Sequence, residues 1–135
     1  MEKSDFIKFT ETDIANVGLT KSGILYVNIK VRNAFDLDHS KKITKLREEI
    51  GDHKKRPVLF TTTSTVLFPT QEVSKFLISE ERTKFILAEA YVTNSLQQRL
   101  EGKLYVKSMK PKTPVNFFST ENEAVNYLSE FVEDL

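Results

Sequence analysis

The chain has 135 residues and a mass of 15.6 kDa, with 39% hydrophobic and 29% charged residues. That is the make-up of one folded domain, and it argues against a collagen-like, disordered or membrane-embedded chain. Twenty basic residues face nineteen acidic ones, which leaves no general footprint for nucleic acid. The lack of cysteine excludes disulfides, thiolate catalysis, zinc ribbons and iron–sulfur ligation.

Residues 1–12 are polar with Phe6, Ile7 and Phe9 interspersed, and read as an arm or an extra edge strand. Met1–Asp5 leads into no long apolar run, so no secretory signal is expected. No later run approaches the roughly 20 residues of a membrane span, and a cytoplasmic protein is expected. Ile14, Val17 and Leu19 precede a turn at Thr20-Lys21-Ser22-Gly23. Ile24–Val31 is rich in β-branched and aromatic residues and reads as a strand, antiparallel to the one before it. Asp36 or Asp38 can cap a helix that runs to Gly51, with Leu37, Ile43, Leu46 and Ile50 at helical spacing. Residues 53–57 read as a surface loop and Val58–Thr63 as the next strand.

Thr70 is the candidate cap of a second helix whose apolar side is Val73, Phe76 and Leu77. A short turn follows at Ser79–Arg82, then a strand over Ala88–Val92. Ser95 and Gln98 have the spacing of a capping box and open a helix to Met109. Val115–Phe118 is the last strand. Thr120 and Glu123 form a second capping box, opening a helix with the stripe Ala124, Val125, Leu128, Phe131 and Val132. The order is ββαβαβαβα, an α/β domain over residues 1–135 with a mostly parallel sheet and an antiparallel first strand.

Three stretches carry a wider resemblance: Gly23–Val27; Pro57–Phe60 with Ser79–Lys84; and Pro114–Thr120 with Glu123–Leu128. With the element order, they resemble the SpoIIAA-like fold of STAS domains. The local sequence is similar to a small bacterial family of unknown function with that fold. STAS antagonists of anti-sigma factors carry a switch serine in an Asp-Ser-Ser-Gly segment. The corresponding residues here are Pro69-Thr70-Gln71-Glu72, without the Asp or the Gly. The resemblance therefore implies a fold and a binding role.

The residues supply no catalytic constellation. His39 follows Asp36 and Asp38, but the spacing matches no metal motif, and helix capping explains the aspartates. Glu48-Glu49 and Glu80-Glu81 are adjacent and point apart on a helix, which makes them poor acid–base partners. No cofactor is expected.

Two surfaces stand out. Loops after parallel strands gather at one end of the sheet, where such folds bind ligands. They bring Thr63, Ser64, Thr70, Asn94, Ser95 and Ser119 there, all hydrogen-bonding groups unsuited to proton transfer near neutral pH. Part of this set is helix-capping chemistry. Arg99, Lys103 and Lys107 recur every four residues and form a basic stripe, whereas residues 119–135 carry acids and no Lys or Arg. The leading expectation is a non-enzymatic interaction or regulatory module with a protein partner. A symmetric dimer is permitted, and neither nucleic acid nor a membrane span is expected. The alternative is a small-molecule or lipid carrier.

Overall fold

The computed structural model describes residues 5–31, 36–62 and 70–132. Within these, six strands form one sheet in chain order: β1 (Phe6–Glu11), β2 (Ala15–Thr20), β3 (Leu25–Ile29), β4 (Arg56–Thr62), β5 (Ile86–Val92) and β6 (Val115–Phe118). The first two pairings are antiparallel and the last three parallel. The N-terminal segment thus resolves as an edge strand, adding one strand before those read as ββαβαβαβα. The helices are α1 (Leu37–Ile50), α2 (Gln71–Leu77), α3 (Glu80–Thr83), α4 (Leu96–Met109) and α5 (Glu121–Val132). None is long and apolar enough to cross a membrane.

Local chemistry starts the helices where the side chains can bond their own first turn. Asp36 accepts from the His39 N–H at 2.9 Å, and His39 Nδ1 accepts from the Asp36 N–H at 3.3 Å. Two of the three residues considered as metal ligands therefore cap α1. Gly51 ends α1 with φ of −82°, and the left-handed turn falls on Asp52 and His53 instead.

Each step from β3 to β6 advances one strand in the same direction. Right-handed crossovers then place α1, α2 and α4 on one face of the sheet. On that face Ile43 of α1 packs with Val17, Val27, Val58 and Phe60. The last helix has no following strand and folds back over the opposite face. There Ala124 and Leu128 of α5 meet Leu59, Ala88 and Ala90. The closing helix thus uses the apolar stripe read from the sequence.

The face under α5 is completed beyond the helix by aromatic rings from β1. A Cβ on Gly18 would lie 2.5 Å from Phe6 Cδ1 and 2.9 Å from Phe9 Cδ2. Phe6 and Phe9 pack on each other with centroids 5.1 Å apart, and Phe6 also meets Tyr26 at 5.7 Å. The missing side chain lets β1 lay its rings across β2. Gly18→Ala should cost about 1–3 kcal/mol by overpacking. Urea denaturation checks it, and most of the loss should be recovered when Phe6→Leu opens the space.

Candidate interaction surface

Of the residues predicted to form a polar recognition end, Thr70 and Ser95 cap helices. Thr70 accepts from the Val73 N–H at 3.2 Å and Ser95 from the Gln98 N–H at 3.1 Å. Gln98 Oε1 reaches back to the Asn94 N–H at 3.0 Å. Ser119 donates to Glu123 Oε1 at 2.9 Å, and Thr120 accepts from the Glu123 N–H at 3.2 Å. The Ser119 and Thr120 hydroxyls, both within hydrogen-bond reach of Glu123 Oε1, hold that carboxyl below its ordinary range. Thr63 and Ser64 lie outside the described residues. Asn94, Ser95 and Ser119 are exposed, as is Thr70 at the start of α2.

Thr61, on the face under α5, joins a second polar row. Its Oγ1 lies 3.1 Å from Asn28 Oδ1 and 3.3 Å from the Tyr26 hydroxyl, which stands 3.5 Å from Glu121 Oε1. Strand register aligns Asn16, Asn28 and Thr61 across β2, β3 and β4. Lys30 ties the row's end to Asn16 Oδ1 and to the Thr12 carbonyl.

A buried charge cluster lies on the opposite face. Glu89 points inward between Val58 and Val115 of the neighbouring strands. Arg82 of α3 meets it at 2.6 Å, both side chains no more than 5% exposed. Tyr91 donates to the same carboxylate oxygen at 2.8 Å, and Arg82 also donates to the Leu77 carbonyl at 2.8 Å. Arg47 of α1 donates to the Arg82 carbonyl at 2.8 Å. Burial, then the nearby Arg82 charge, hold Arg47 down at about 10. Burial opposes the Arg82 charge, but Glu89 holds its pKa above the ordinary value. Burial and Glu89 raise Tyr91, which stays a proton donor. Beneath the cluster Phe60, Tyr91 and Phe117 stack across β4, β5 and β6 at 4.8 and 5.3 Å. The arrangement clamps helices to strands. One sequence signal pointed to it: a glutamate within the otherwise apolar run Ile86–Tyr91 requires a partner.

The outermost crossover helix has an unusual polarity. None of its residues is fully buried. Gly102 faces β6, where a Cβ would lie 2.4 Å from Phe117 Cε1. Tyr105 reaches the Ser74 carbonyl of α2 at 3.3 Å. With that side seated, Leu96, Leu100 and Leu104 are left 64%, 52% and 67% exposed. They recur every four residues and make a ridge about 12 Å long. Arg99, Lys103 and Lys107 each stand three residues after a leucine and flank the ridge on one side. On the other side lies a cleft of about 590 Å³ between α2 and α4, lined by residues that include Lys75, Leu104, Tyr105 and Met109. The structure thus sets the basic stripe beside an apolar ridge that the sequence reading missed. The signal was present as leucines at 96, 100 and 104.

The sheet order and helix placement define a SpoIIAA-like α/β protein. An uncharacterised protein of the DUF3478 family from Shewanella loihica PV-4, described with a SpoIIAA-like fold, superposes with a TM-score of 0.60. The match covers 88% of this chain and 97% of that one at 12% identity, which shows the fold. Residues 19–132 match a domain of unknown function, DUF7793, and the chain belongs to that family. No curated protein matches it.

Removing one member of the buried pair leaves the other charged and unpaired. Glu89→Ala should cost about 3–5 kcal/mol, read by chemical denaturation. Arg82→Met added to Glu89→Ala should cost clearly less than the sum of the single changes, since the pair acts as a unit.

Proposed function

We infer that this domain is a protein-interaction module that works by binding, without a chemical step of its own, and that its docking face is the outer side of α4. The observation that carries this reading is the ridge of Leu96, Leu100 and Leu104. A stable monomer gains by burying leucines, yet this helix presents three in line to solvent beside an apolar-lined cleft. The exposed Asn94 and Ser95 lie immediately before Leu96, so the polar end of the sheet continues into the ridge.

Affinity capture from the native cell, quantified against a variant, tests the reading. Leu100→Glu with Leu104→Glu should remove a defined set of partners while the circular dichroism and melting curve stay near those of the parent. Unchanged capture would refute this docking face. Ser64→Ala with Thr70→Ala separates the polar end from the ridge, at a stability cost of about 1 kcal/mol for the lost cap.

The open cleft supports a second reading as a carrier of a small apolar molecule, which would lie against Leu104, Tyr105 and Met109. Mass spectrometry of the protein purified under native conditions checks this, and a co-purifying lipid or metabolite released by Leu104→Glu would favour it.

A further inference from the structure

The ridge and cleft carry information about what they bind. Four cations border them: Arg99, Lys103 and Lys107 along α4 and Lys75 on the α2 bank. Lys75, Lys103 and Lys107 are exposed and make no ion pair with any described residue. Arg99 leans on Thr93 Oγ1 at 3.5 Å. The one acid on the cleft wall, Glu101, is engaged by Gln97 Nε2 at 3.1 Å. Arg99 also faces the charge of Glu123, but three unpaired lysines leave the track's border net positive, and such a border selects an apolar stripe edged by negative charge.

The shape points to a helix. The leucines repeat at helical spacing, so their ridge runs along the axis of α4 with the cleft beside it, the relief into which a second helix packs. An antiparallel second copy of this chain fits poorly. Antiparallel packing of two α4 helices would set the basic stripes of both copies side by side. The acidic helix α5 cannot serve either, because its apolar residues Ala124 and Leu128 are spent in the core and Glu123, Asn126 and Glu130 face outward.

We propose that the face formed by the leucine ridge of α4 and the α2–α4 cleft docks an acidic amphipathic helix of a partner protein. The partner helix carries apolar residues three and four apart, flanked by Asp or Glu that meet Lys75, Arg99, Lys103 and Lys107. This rests on the reading of α4 as the docking face and adds the chemistry of the occupant.

The probes are two fluorescein-labelled helical peptides of about 18 residues with the same leucine spacing, one flanked by Glu and one by Lys. Fluorescence anisotropy follows their binding to the full chain at ionic strengths of about 0.05 and 0.5 M. The Glu-flanked peptide should bind at least tenfold more tightly at low salt, with the preference shrinking at high salt. Lys103→Glu with Lys107→Glu should abolish or reverse the preference, and Leu100→Glu with Leu104→Glu should abolish binding by both peptides. Equal affinity for the two peptides, or none for either, overturns the acidic helix. So does binding of the chain to vesicles of anionic phospholipid in place of the peptides, or concentration-dependent dimerisation through the leucines by light scattering. If neither peptide binds but the leucine variant still loses its cellular partners, the docking face stands and only the identity of the occupant falls. If the Glu peptide binds the leucine variant undiminished, both fall.

Discussion

The hand of the crossovers governs where everything else can go. Three parallel steps in one direction commit α1, α2 and α4 to the same side of the sheet, and only α5 remains for the other. The central strands are therefore covered on both faces, as the buried Val58, Leu59, Ala88 and Ala90 reflect. The last crossover comes down over β6, a strand of four residues at the edge. There is little sheet for that helix to cover. Gly102 brings it down onto the Phe117 ring, and nothing in the described chain lies beyond to cover its far side. A helix so placed seats one narrow side and presents the rest to solvent.

The same face holds the most costly arrangement in the molecule. An isolated carboxylate on β5 beneath helices would be prohibitive, and Arg82, Tyr91 and Thr113 supply its partners. The guanidinium also lies over the Phe60 ring with its centre 5.4 Å from the centroid. Such a cluster contributes less net stability than apolar packing of the same volume. What it contributes here is position: α3 is tied to β5 through Glu89, and α1 to α3 through Arg47. The carboxylate oxygens are engaged and Arg47, Arg82 and Glu89 are shut from solvent, so the cluster is a brace within the core. The chemistry accessible to a partner lies outside it.

On α4 the energetic logic is reversed. Burying a leucine side chain contributes about 1.5–3 kcal/mol, so the three exposed leucines hold association energy that folding leaves unused. Only a surplus survives the entropic cost of bringing two bodies together. The neighbouring cations add less to affinity than to choice of partner and speed of encounter, and salt weakens their effect.

Local chemistry was legible in the sequence by itself. Asp36, Thr70, Ser95 and Thr120 cap their helices with bonds that span three residues, so the residues at each cap suffice to predict it. The stripe on α5 and the strands around Val27, Val58 and Phe118 follow from periodicity in the same way. The element order, and with it the SpoIIAA-like resemblance, followed from these. The N-terminal edge strand was left open because its place depends on Gly18 of another strand accepting Phe6 and Phe9. The pairing of Arg82 with Glu89 was hidden because the strand must bring its face under α3 before the two meet. The leucines of α4 have the spacing of any core stripe. Whether a stripe is buried depends on what stands opposite it, and that is set by crossover hand, strand order and the shortness of β6. Those are relations between distant segments, and only the tertiary structure decided them.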